Sequence, residues 1–255
     1  LGGVQRDKVR AYGSTLMPYT PQEAAEEALR WKEQGFSAVK MGWGGFELPQ
    51  SECVKLVEAT RNAIGDDMDM MLDIGFIPSG DFNVTAASRL LLINEIREFK
   101  PYWIEEAVYP DDYEGYKMLV ESTDVRIAGG ENETTRYGFK QLIEVCKLDI
   151  LQPDITRCGG LTEAKRIGAM ATAHNTTVIP HAWSSGIVIA ASLHFIATQS
   201  NSNLLEYCVW DTPIRKEMLK QDFKLRDGYV DVPMGPGLGI EIDDEAIQKY
   251  RCDII

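Results

Sequence analysis

The chain has 255 residues, 44% of them hydrophobic and 25% charged, which is ordinary for a soluble globular protein and long enough to bury one large core. Its formal net charge of −13, with no compensating basic run, argues against nucleic acid and anionic membrane surfaces as partners. Five scattered cysteines without C-x-x-C spacing point to a reducing, cytoplasmic compartment, and no apolar stretch is long enough to span a bilayer.

Residues 9–14 read as a strand. Thr20-Pro21-Gln22-Glu23 then opens a helix, with a Thr cap, Pro at the first helical position and Glu three residues after the cap, and the helix stops at Gly35. A strand at 37–41, a helix at 51–64, a strand at 69–73 and a helix over about 84–99 follow. Five more short strands fall at 102–105, 126–131, 149–154, 177–181 and 203–206, separated by helical patterns at 113–121, 135–147, 160–174 and 187–199. Strict βα alternation predicts a parallel sheet with right-handed crossovers, and eight such units can close into a (β/α)8 TIM barrel. A doubly wound open sheet is the alternative, but it would gather polar residues at one switch point instead of at nearly every strand end.

The barrel is assigned to residues 1–222 and a C-terminal hairpin and helix to 223–255. Asp227-Gly228 supplies the turn signal of a hairpin over 223–232, and residues 243–250 read as a closing helix. Gly235-Pro236-Gly237-Leu238-Gly239 lacks the preceding strand, the long following helix and the downstream acid of a dinucleotide fingerprint.

The eight strand ends carry, in order, Ser14, Lys40, Asp73, Glu105, Glu131, Asp154, His181 and Glu206. Any one of these could be a charge leaving the core for solvent, but the ordered set points toward one barrel mouth. Asp73, Glu105 and Glu131 are hard oxygen ligands with no His or Cys among them, a set that suits Mg²⁺ better than zinc. A lone His181 behind Pro180 would read as a hydrogen-bonded core residue. Paired with Asp154 it becomes an oriented imidazole suited to proton transfer near neutral pH. Arg157 and Trp183 lie one step beyond strand ends, where they could line the pocket. Glu106, next to Glu105, faces the other way and reads as a rim or supporting residue. His174 and His194 fall within helices, and Met68, Met70 and Met71 read as core filling around a strand.

The arrangement resembles the enolase superfamily and, within it, the mandelate racemase-like group. The resemblance covers essentially the whole chain and rests on Val39-Lys40-Met41, the Asp73/Glu105/Glu131 set, Gln152-Pro153-Asp154 with Arg157-Cys158-Gly159-Gly160, Pro180-His181 and Leu205-Glu206. It implies that Mg²⁺ and Lys40 bind a substrate carboxylate and that Asp154 and His181 form the acid–base dyad. It further implies that Glu206 hydrogen-bonds the enolate oxygen. Two positions depart from the group. Gly42 stands where a second lysine is common, so two-base racemisation loses a proton carrier, and Gly75 stands where related enzymes place Asn or His. Members of the group also begin with a capping domain of about a hundred residues. Leu1-Gly2-Gly3 matches the seam after it, so that domain is expected to be missing here, with residues 235–250 as the segment that returns to it.

The expected function is that of a magnesium-dependent acid-sugar dehydratase, removing the proton α to a carboxylate and eliminating the β-hydroxyl to leave a 2-keto-3-deoxy sugar acid. The expected partners are a small carboxylate substrate and further copies of the chain in a homo-oligomer. The alternatives are a racemase or epimerase of a 2-hydroxy acid, a catalytically silent barrel, and a glycoside hydrolase working with two rim carboxylates and no metal.

Overall fold

Side chains two residues apart on a strand share a face, and that rule organises the molecule in the computed structural model, which describes residues 1–75 and 84–252. The parallel series consists of β1 (Lys8–Leu16), β2 (Ala38–Gly42), β3 (Asp69–Asp73), β4 (Trp103–Glu105), β5 (Ile127–Gly129), β6 (Ile150–Leu151), β7 (Thr177–Val178) and β8 (Leu204–Cys208). Between them run α1 (Pro21–Glu33), α2 (Gln50–Ile64), α3 (Ala86–Ile96), α4 (Tyr113–Ser122), α5 (Thr135–Gln141), α6 (Gly160–Ala173) and α7 (Gly186–Ala197). Helix α1 starts as its sequence requires: Thr20 caps it, Pro21 occupies the first turn, and the Thr20 side chain accepts from the Glu23 N–H. Helix α5 continues into a π turn over Leu142–Cys146, which completes the helix expected at 135–147.

The strands are hydrogen-bonded in the order β8-β1-β2-β3-β4-β5-β6-β7, the order of a (β/α)8 barrel. Among the described residues no ladder joins β7 to β8. The two edges instead meet through the Val178 N–H, which donates to the Asn201 carbonyl at 2.9 Å, and the Ala182 N–H, which donates to the Glu206 carboxylate at 2.6 Å. Strands β6 and β7 are also shorter than expected. Pro153 and Pro180 carry no N–H to donate, so regular pairing stops before them.

One buried side chain from each strand fills the inside of the ring: Tyr12, Ala38, Met71, Trp103, Ala128, Ile150, Ile179 just past β7, and Leu204. The two aromatic rings come from β1 and β4 and meet edge to face at 5.5 Å, while alanines from β2 and β5 make room for them. Met70 points the opposite way, into the larger apolar layer between strands and helices. After β8 come the short helix α8 (Pro213–Lys216), the hairpin β9 (Leu225–Arg226) and β10 (Tyr229–Asp231), and α9 (Asp244–Tyr250). Strand β10 pairs antiparallel with the start of β1, Lys8 opposite Asp231, and the His194 ring nitrogen lies 3.1 Å from the Leu238 carbonyl. No helix among the described residues is long and apolar enough to cross a membrane.

Candidate metal and acid–base site

Two residues beyond the apolar layer, the same inward-facing rows turn polar. Tyr12 is followed by Ser14, Ala38 by Lys40, Met71 by Asp73, Trp103 by Glu105, Ile179 by His181 and Leu204 by Glu206. The period breaks at β5. Gly130 takes the next position in a left-handed conformation (φ 113°), and Glu131 after it turns inward. On β6 the fully buried Gln152 occupies the row, and Asp154 follows two residues later.

Asp73, Glu105 and Glu131 converge, with one ligand atom from each lying within 4.8 Å of the others. Register explains the first pair, since Asp73 and Glu105 are directly opposed across β3 and β4. Burial, and then the charge of Glu105, raises the Asp73 carboxyl well above its ordinary range; Glu105 is raised as well, chiefly by burial. Three converging carboxylates in a buried place strain against one another, and a divalent cation relieves that strain. The donor set and spacing fit one.

Lys40 is buried, and its Nζ touches Glu105 Oε1 and lies 2.8 Å from Glu206 Oε1. Burial opposes the ammonium charge, but the carboxylates of Glu105 and Glu206 outweigh it and hold the Lys40 pKa well above its ordinary value. Glu206 accepts from Ser14 Oγ at 2.7 Å and from the Ala182 N–H at 2.6 Å. Burial works against its charge too, yet Lys40 and His181 bring its pKa down to about 2. It is therefore an anion that accepts in this arrangement.

His181 Nδ1 lies 2.8 Å from Asp154 Oδ2, and its Nε2 lies 3.3 Å from Glu131 Oε2. Burial would lower the imidazole pKa, but Glu206, Glu131 and Asp154 together raise it to about 9. Asp154 also accepts from the Thr156 N–H at 2.7 Å, and although burial opposes its charge, these hydrogen bonds keep its pKa below the ordinary value. Arg157 is half exposed, with Nη1 3.8 Å from Glu131 Oε1 and Nε 3.9 Å from Asp154 Oδ2. Trp183 lines the cavity and stacks edge-on against Trp210 at 6.2 Å.

Lys40, Asp73, Glu131, Arg157, His181 and Glu206 line a cavity of about 160 Å³ at the C-terminal ends of the strands. A larger cavity of about 920 Å³ lies outside the ring, between α1 and residues 207–225, and is lined by none of those six residues. Both departures noted in the sequence lie against Asp73. A Cβ on Gly42 would stand 2.5 Å from the Asp73 Cβ, and one on Gly75 would stand 2.6 Å from Asp73 Oδ1. Glu106 is not a rim residue. It is buried with φ 49°, and its Oε1 accepts from the Gly130 N–H at 2.7 Å, bracing the turn that delivers Glu131. Burial, then the charge of Glu131, pushes its pKa up to about 7.

Sequence reading missed the neutral donors that hold the charged groups. Trp103 Nε1 donates to Glu105 Oε2 at 2.9 Å and Trp43 Nε1 to Asp73 Oδ2 at 3.1 Å. The strand period could have found Trp103, two residues before Glu105 and hence on its face. Trp43 left no such signal.

Residues 23–246 match the family model described as enolase C-terminal domain-like, and the chain belongs to that family. It is 32% identical over 98% of its length to a D-galactarolactone cycloisomerase of Agrobacterium fabrum, covering 67% of that protein. It is 34% identical over 97% of its length to a D-galactonate dehydratase of Cronobacter sakazakii, covering 66% of it. The crystal structure of the 3,6-anhydro-D-galactonate cycloisomerase from Zobellia galactanivorans superposes with a TM-score of 0.88 at 36% identity, over 98% of this chain and 68% of that one. The chain thus spans about two thirds of the length of these relatives.

Proposed function

We propose that this chain is the catalytic barrel of a Mg²⁺-dependent acid-sugar dehydratase. The observation that carries the reading is that His181, with Asp154 2.8 Å from its Nδ1, lines the same cavity as Lys40 and two of the three converging carboxylates, Asp73 and Glu131. Asp73, Glu105 and Glu131 would hold the ion, which when bound supplies a Lewis-acid charge for substrate oxygens. Lys40 Nζ would bind the substrate carboxylate, adding fixed positive charge where negative charge develops.

In its neutral form, with Nδ1 held by Asp154, His181 presents Nε2 to the α-carbon and takes its proton. The electron pair left behind forms the Cα–Cβ double bond as the Cβ–O bond breaks. The proton on His181 then goes to the departing hydroxyl, which leaves as water, and the enol tautomerises to the 2-keto acid. One base serves both transfers. Gly42 offers no second base, which weighs against racemisation. Five cysteines without a disulfide support a cytoplasmic setting.

A second reading keeps the proton abstraction and changes the leaving group. Two of the relatives are named cycloisomerases, of a galactarolactone and of a 3,6-anhydro sugar acid. If the β-oxygen belongs to a ring, the same elimination opens the ring without releasing water. A panel of open-chain and ring-closed sugar acids, with the product analysed for a 2-keto group and for loss of water, separates the two. Inversion of the α-carbon without elimination would overturn both.

A further inference from the structure

Trp43 combines features that ordinary packing does not reward. Its backbone is in the left-handed region (φ 54°), a genuine outlier for a bulky side chain, yet it is 38% exposed. The turn around it is built to keep it there. Gly44 also has positive φ, and a side chain on Gly44 or Gly45 would collide with the backbone of Met17 or Pro18. The Trp43 N–H donates to the Asp73 carbonyl at 3.0 Å, its indole Nε1 donates to Asp73 Oδ2 at 3.1 Å, and the Gly75 N–H donates to Asp73 Oδ1 at 3.0 Å. Both oxygens of one carboxylate are thus held by N–H donors, and Trp43 lines the cavity beside Gly42.

We infer that Trp43 is a positioning residue for the metal site: the strained turn exists to aim an indole N–H at Asp73 so that its carboxylate is oriented before the cation arrives. The inference rests on reading Asp73, Glu105 and Glu131 as the Mg²⁺ ligands. Strain of this kind gathers where function over-determines it. A ligand that need not be ordered on binding costs less entropy at that step, and groups that orient metal ligands typically set affinity by about 10- to 100-fold.

The test is titration calorimetry of MgCl₂ into the full chain and two variants, with the metal-free melting temperature of each. Trp43→Phe keeps a ring and loses the N–H. Trp43→His keeps a ring nitrogen at the same place, and Mg²⁺, which takes oxygen ligands, gives that nitrogen little direct role. The expected result is a loss of at least about tenfold in affinity for Trp43→Phe and recovery to within about threefold of wild type for Trp43→His, with similar metal-free melting temperatures. Equal affinity in Trp43→Phe and wild type would overturn the inference while leaving the metal reading intact, and equal losses in both variants would overturn it in favour of simple packing. A wild-type chain that binds no Mg²⁺ would overturn the metal reading itself. Should a variant fail to fold, ¹⁵N spectra of wild type decide instead, since Mg²⁺ must shift the Trp43 indole resonance and an unmoved resonance ends the idea.

Discussion

Gly42 and Asp73 are direct partners in the β2–β3 ladder, and a Cβ placed on Gly42 would stand 2.5 Å from that of Asp73. The missing second lysine is therefore more than a shortened side chain, because Asp73, the first of the proposed metal carboxylates, already fills the space it would need. Gly42→Lys is expected to displace Asp73 and weaken Mg²⁺ binding by at least about tenfold, not to create a two-base racemase. Calorimetry and α-carbon inversion, measured side by side, check this, and a variant that bound Mg²⁺ normally and racemised would contradict it.

His181→Asn removes the only imidazole among the described residues that line the cavity, while keeping a polar side chain. Turnover and exchange of the substrate's α-proton with solvent are expected to fall together, by at least about 10²-fold, as for loss of a general base. Affinity for a carboxylate inhibitor should persist, since Lys40 is untouched. Exchange that continued at the wild-type rate would assign the base elsewhere.

Metal loading should be visible without any turnover. At a free Mg²⁺ concentration about 100 times its dissociation constant, binding to the folded state alone contributes about 2.7 kcal/mol. The melting temperature should rise with MgCl₂ and fall back on adding a chelator, and Asp73→Asn should abolish the response.

Helix α5, which follows the turn carrying Glu131, is tied to α6 by a bidentate pair, with Arg136 Nε 2.7 Å from Glu163 Oε1 and Nη2 2.9 Å from Oε2. Hydrogen bonds from Arg136 bring the Glu163 pKa down to about 2. A depressed carboxylate pKa adds stability that is full above the ordinary value and is lost as pH falls through the folded-state value. Glu163→Gln should therefore melt below wild type near neutral pH, and the gap should close between pH values of about 4.5 and about 2. A gap that widened with acid would show that the pair does not stabilise the fold.

Most of this site could be read because parallel strands obey a period of two: an apolar residue inside the ring predicts the polar one two places on, from Ala38 to Lys40 or from Leu204 to Glu206. Asp154 and His181 were legible as the ends of strands at 149–154 and 177–181, although the paired segments stop before Pro153 and Pro180. Illegible were the features set by conformation or by neighbours distant in sequence. Gly130 shifts the row by one residue through its left-handed backbone, and Trp43 reaches Asp73 from another strand's end. That no ladder joins β7 to β8 among the described residues leaves no mark in composition either.

Where β7 meets β8, the wall of the ring is held partly by a side chain. The Glu206 carboxylate that accepts the Ala182 N–H is the same group that meets Lys40 and Ser14 inside the cavity. Opening that edge costs fewer backbone hydrogen bonds than opening any paired strand, so its amides should exchange with solvent ahead of the rest of the ring. Whatever draws Lys40 away from Glu206 also changes the grip on Ala182, so occupancy of the cavity should register as slowed or quickened exchange at that one amide. Replacing Glu206 would loosen the barrel and alter its chemistry at once, and the two effects can be told apart only by watching that edge directly.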